Sequence, residues 1–106
     1  MKRYSIFLSF LFVFVLMSHQ SAFTTFEQEE EGKKIFKKYC AACHGADGTM
    51  EFNGAKDFTK SIMSLDERVL IISEGRNMMT AFKSLLSAEE IKTVAEYTLK
   101  LSNPKE

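Results

Sequence analysis

Two thiols and an imidazole fall together at Cys40-Ala41-Ala42-Cys43-His44. Cysteines two apart can form a redox disulfide, ligate zinc, or add across the vinyl groups of a haem. The histidine directly after the second cysteine selects among these. CxxCH is the attachment signature of covalent haem: one short turn offers both sulfurs as thioethers and the adjacent ring as the proximal iron ligand. The rivals lack what they need. A four-ligand zinc site calls for a second Cys/His pair, and the only other histidine is His19. A thioredoxin-like site needs strands alternating with helices, and no such pattern is present. A Cys40–Cys43 disulfide would close a very short loop and contribute little as a staple. One covalent haem c through Cys40 and Cys43, with His44 on the iron, is the expectation.

The iron then needs a group on its other face. His19 lies in an N-terminal stretch that reads as a secretory signal. Met1-Lys2-Arg3-Tyr4 is basic, and Ile6 to Met17 is apolar except for Ser9, too short for a comfortable membrane span of about twenty residues. Ser21-Ala22 offers small residues for cleavage, although Gln20 suits its position poorly; an uncleaved anchor is the alternative. No Cys follows the apolar run, so lipid attachment there is excluded. With residues 1–22 removed, His44 is the only histidine, which excludes bis-histidine ligation within the chain. Met50, Met63, Met78 and Met79 remain. Methionine is often plain core filler, the better reading for Met63 ahead of a helix cap. Met78 and Met79 sit in a loop between two capped helices, where a thioether can swing over a porphyrin. Sulfur ligation there raises the reduction potential.

Residues 23–106 make one small domain, at the low end of independently stable sizes. A covalent haem supplies the staple and a large apolar plate to pack on. The whole chain carries fourteen basic and fourteen acidic side chains. Lys2 and Arg3 leave with the signal, so the remainder is mildly acidic, which argues against a nucleic-acid partner.

The elements that must position these groups are helical. Thr24 and Thr25 precede Glu27 and Gln28 at capping-box spacing, predicting a helix from near Phe26 to Tyr39 that feeds directly into the haem motif. Residues 45–57, with Asp47-Gly48 and Asn53-Gly54, read as loop. Ser64 with Glu67 opens a helix over Leu65–Glu74 with Leu65, Val69, Leu70 and Ile72 as its apolar side, and Gly75 caps it. Ser87 with Glu90 opens the last helix, Ala88 to Leu101, with Ile91, Val94, Ala95, Thr98 and Leu101 on one face. The fold class is all-α: three main helices and loops around one haem.

The chain resembles the class I c-type cytochromes of the small bacterial kind. Gly32, Phe36, Cys40, Cys43, His44 and Gly45 match the family's G-x-x-x-F-x-x-x-C-x-x-C-H-G, and Gly75-Arg76-Asn77-Met78-Met79-Thr80-Ala81-Phe82 matches its G-x-x-x-M-P-x-F. Leu86, Ser87, Glu89, Glu90, Ile91, Val94, Ala95 and Tyr97 match its final-helix pattern. The resemblance spans residues 26–101. It implies Met79 as sixth ligand, with Met78 as competitor, and a tight crossing of first and last helices at Gly32, Phe36 and Tyr97. Two departures stand out. Thr80 replaces the usual Pro after the ligand, which predicts a looser loop. No Pro follows the haem motif, so the acceptor orienting the His44 ring is not named by sequence.

The expected function is an exported, periplasmic or extracytoplasmic carrier of single electrons between a donor and an acceptor redox protein. It is expected to be a monomer, to meet a membrane only through an uncleaved N-terminal segment, and to do no chemistry on a substrate. Lys37, Lys38, Lys56 and Lys83 are candidates to steer partners to a haem edge near Cys40 and Cys43. Two alternatives are a sensor or small catalyst with a labile sixth ligand, and an electron-entry subunit fixed to one enzyme.

Overall fold

The computed structural model describes residues 20–103. Residues 1–19, with nearly all of the expected signal segment, lie outside them. The described elements are α1 (Gln20–Tyr39), α2 (Ala41–His44), α3 (Leu65–Glu74) and α4 (Ala88–Ser102), with 3₁₀ turns at Phe52–Gly54 and Phe58–Lys60 between α2 and α3. Among the described residues there is no strand, only an isolated antiparallel bridge between Arg76 and Met79. The all-α reading holds.

Capping chemistry sets two of the helix starts. The Ser64 hydroxyl accepts from the Glu67 N–H while the Glu67 carboxylate accepts from the Ser64 N–H at 2.7 Å. Ser87 and Glu90 repeat the exchange at the head of α4. Each box pairs two N–H groups that a helix start otherwise leaves open. The first helix differs from expectation. It is already helical at Gln20, so Thr24, Thr25, Glu27 and Gln28 lie within it. Gln20 to Phe23 contain neither Gly nor Pro, and a box halts a helix only where the preceding backbone leaves helical geometry. The segment expected as plain loop also contains the 3₁₀ turn at Phe52–Gly54, and a second follows it at Phe58–Lys60.

The core lies where α1 crosses α4. A Cβ added at Gly32 would stand 2.8 Å from the Thr93 carbonyl oxygen and 2.9 Å from Tyr97 Cβ. The backbones therefore approach more closely here than a side chain allows. Phe36, one turn on, is fully buried, with its ring centroid 5.4 Å from Tyr97 and 6.1 Å from Phe58. Ile35, Ile72, Phe82, Leu86, Ile91, Val94 and Ala95 complete the cluster. At the rim, Gln28 donates to Glu96 and Lys100 pairs with Glu29, joining α1 to α4. The inner face of α3 departs from the pattern read along it. Leu70 is 62% exposed, while Arg68 is buried beside Ile72. Residues 65, 68 and 72 share one side at helical spacing, which turns 70 away.

Candidate functional site

The haem motif grows out of α1 almost without a break. The Cys40 N–H donates to the Phe36 carbonyl at 2.9 Å, and the single turn of α2 closes with His44 N–H to Cys40 O at 3.0 Å and Gly45 N–H to Ala41 O at 2.8 Å. Both thiols and the imidazole are thus presented from one turn rooted on the buried Phe36. The His44 ring is itself buried. Its Nδ1 lies 3.2 Å from the Lys56 carbonyl oxygen. A carbonyl only accepts, so Nδ1 carries the proton and Nε2 keeps its lone pair for a metal. The ring also stacks on Phe58, 4.5 Å between centroids at 17°. Phe58 is fixed in turn by its N–H to Gly48 O at 2.9 Å. The acceptor that sequence left unnamed is therefore Lys56 O. Every residue owns a carbonyl, and only the path of the loop chooses this one.

Burial sets the protonation of the site. It pushes the His44 pKa below its usual value, partly opposed by the bond to Lys56 O, and so favours the neutral imidazole, the form able to bind a metal. Burial, and then the neighbouring Cys43, pushes the Cys40 thiol up to about 11. A redox-active cysteine needs the reverse, an electropositive setting that lowers the thiol pKa. Among the described residues no three His, Cys, Asp or Glu side chains are grouped to hold a metal ion by themselves.

These groups border a cavity of about 410 Å³, lined mainly by apolar side chains, within the range of about 300–1,000 Å³ usual for cofactor sites. Cys40, Cys43, His44 and Met79 all line it, as do Met63 and Met78; Met50 does not. The methionine pair is carried by a tightly folded loop. Gly75 ends α3 at φ 74°, and a Cβ there would lie 2.6 Å from the Met79 carbonyl oxygen and 2.9 Å from the Ala81 nitrogen. Arg76 N–H donates to Met79 O at 3.2 Å and Met79 N–H to Arg76 O at 2.9 Å, around Asn77 at φ 53°. Phe82 N–H reaches Ile72 O at 2.9 Å, and Lys83 pairs with Glu74 at 2.6 Å across the base of the loop. Where Thr80 takes the place of the family's proline, backbone hydrogen bonds cross the loop on both sides of the methionine pair. Met78 is 76% exposed, whereas Met79 is half-buried and packed on the core.

Of the four lysines considered for steering, Lys56 alone lines the cavity. Lys83 is engaged with Glu74, and Lys38 lies 4.9 Å over the Tyr39 ring. Sequence reasoning passed over Arg68, a buried side chain on the cavity wall. Beside Glu67 in a capped first turn it reads as an ordinary solvated charge.

Residues 27–97 match the family described as cytochrome c oxidase, cbb3-type, subunit III. The chain belongs to the small class I c-type cytochromes. It is 38% identical to cytochrome c6 of Leptolyngbya boryana over 64% of this chain and 86% of that protein. It is 34% identical to a cytochrome c6-like protein of a Nostoc species, over 69% of this chain and 70% of the relative. Against cytochrome c6 of Pyropia yezoensis it is 30% identical over 95% and 94%. No solved structure matches. The cytochrome carries one covalent haem c, and the site fits it: a CxxCH turn, a neutral imidazole held by a carbonyl, and an apolar cavity. The haem supplies one-electron chemistry at its iron, and the membership makes this chain an electron carrier.

Proposed function

We propose that this cytochrome is exported and shuttles single electrons between two redox proteins outside the cytoplasm, with His44 and Met79 as the axial ligands. The observation that carries the ligand assignment is the burial of Met79. Both methionines line the cavity that His44 lines, but the Met79 side chain packs on the core whereas Met78 is mostly exposed. In this reading the chain's residues position and exclude. The Lys56 carbonyl orients the His44 ring, Phe58 stacks on it, and the backbone ladder holds the loop that carries Met79. A filled sixth position favours electron transfer over binding of small molecules, so no bond-making on a substrate is assigned. The pinned loop weighs against a labile-ligand sensor. Among the described residues no helix is long and apolar enough to cross a membrane.

The test is the optical spectrum of the oxidised and reduced protein, extended to the weak far-red band of iron–thioether ligation. The band is expected in wild type and in Met78→Ala, and is expected to vanish in Met79→Ala. A high-spin wild-type spectrum with rapid carbon monoxide binding by the reduced protein would overturn the assignment. The description of the matching family as an oxidase subunit motivates a second reading, a cytochrome held permanently on one enzyme. Recovery of the native protein as a free monomer lacking residues 1–22 would remove it.

A further inference from the structure

Arg68 is 4% exposed, yet among the described residues no carboxylate pairs with it. Its hydrogen-bond partners are all neutral. Nε donates to Met63 O at 3.1 Å, Nη1 to Thr98 Oγ1 at 3.1 Å, and Nη2 to Ser61 Oγ at 3.1 Å and Ser102 Oγ at 2.8 Å. The guanidinium centre also lies 5.6 Å over the Phe58 ring. A guanidinium has five N–H bonds, so these contacts leave one, on Nη1. An unpaired buried cation is costly, and burial stays affordable only when an opposite charge joins it. Four oxygens drawn from the Ser61–Met63 segment and from α4 fix the head group, and Arg68 lines the same cavity as Cys40, Cys43 and His44.

We propose that Arg68 is the anchor for a haem propionate, its remaining Nη1–H donating to the carboxylate. The inference rests on the covalent haem at Cys40 and Cys43. Vinyl and propionate groups occupy different sides of the porphyrin, so thioethers at one side and a charge-assisted hydrogen bond at another would fix the macrocycle in rotation. Arg68 is a positioning residue, and its charge also acts on the iron. A fixed cation beside the haem favours the ferrous state, so losing it lowers the reduction potential.

The test uses the intact haem protein. In the reduced, diamagnetic wild type, NMR is expected to show slowly exchanging Arg68 guanidinium protons with nuclear Overhauser contacts to a propionate methylene. Arg68→Lys and Arg68→Met are compared with wild type by redox titration and by the propionate bending band in resonance Raman spectra. Arg68→Met is expected to lower the midpoint potential and move the band. Arg68→Lys, which keeps the charge but not the fork, should retain more of the wild-type potential. Overhauser contacts only to Ser61, Thr98 and Ser102, with an unmoved band in Arg68→Met, would overturn the proposal and leave Arg68 as a structural cross-link. Wild-type measurements decide the matter even if Arg68→Met does not fold. Absence of haem on the purified chain would instead refute the cofactor assignment itself.

Discussion

Replacing Gly32 by Ala gives a prediction whose sign separates two physical effects. In an isolated helix the change is favourable, by about 1 kcal/mol, because Ala loses less backbone entropy than Gly. In this molecule the new methyl would sit 2.8 Å from the Thr93 carbonyl oxygen and 2.9 Å from Tyr97 Cβ. Even close carbon–oxygen contacts across helices keep about 3.3–3.6 Å, so α1 and α4 must separate by about half an ångström. Neither obstacle is the end of a flexible side chain that could swing aside. Overpacking of this kind costs about 1–3 kcal/mol. With the helix gain set against it, the expected net effect is a loss of up to about 2 kcal/mol. For a domain of this size each kcal/mol moves Tm by about 4–8 °C, so a fall of up to about 15 °C is expected. The assay is thermal unfolding of the haem-loaded protein followed by far-ultraviolet circular dichroism. Thioethers keep the haem on the chain through unfolding, so Tm carries no term for free haem concentration. A Tm above wild type, raised by the full helix gain, would refute the close crossing and leave helix propensity as the only effect.

The capping boxes make a second prediction: Ser64→Ala and Ser87→Ala should each cost about 1 kcal/mol, read from denaturant midpoints. Lys83→Gln, which removes the exposed pair with Glu74, should cost at most about 1 kcal/mol and leave the spectrum unchanged. A larger loss or a spectral change would mean that this pair, and not the backbone bonds, holds the Met78–Met79 loop. Acid should destabilise the fold. The Thr49 and Thr59 hydroxyls hold Asp47 and Asp57 below the usual carboxylate range, and the Ser64 N–H does the same for Glu67. Groups lowered on folding stabilise the protein above their unfolded pKa and lose that contribution as pH falls through the folded value. These carboxylates should therefore leave Tm unchanged down to about pH 5 and lower it below about pH 4. A Tm that rose on acidification would contradict these assignments.

The one-dimensional order of residues determined whatever depends on near neighbours in the chain. CxxCH specifies its cofactor because one turn of backbone holds all three groups. Ser64/Glu67 and Ser87/Glu90 specify helix starts because a side chain three residues away reaches an open N–H. The start of α1 at Gln20 escaped the same reasoning, since a cap signal acts only where the incoming backbone is not already helical. Tertiary structure decided what depends on residues far apart. Lys56 O became the partner of His44 because the loop's path brought one carbonyl, chemically like every other, to that ring. The Met78–Met79 loop is tied at its base because Ile72 and Ser73 lend carbonyls to Phe82 and Lys83, a pairing that no residue type announces. Arg68 changed from a surface charge to a buried cation because Ser61, Thr98 and Ser102 converge on it from two separate parts of the chain. Side-chain chemistry within a turn is written in the sequence; the choice among identical backbone groups, and the burial of a charge, follow from how the chain closes on itself.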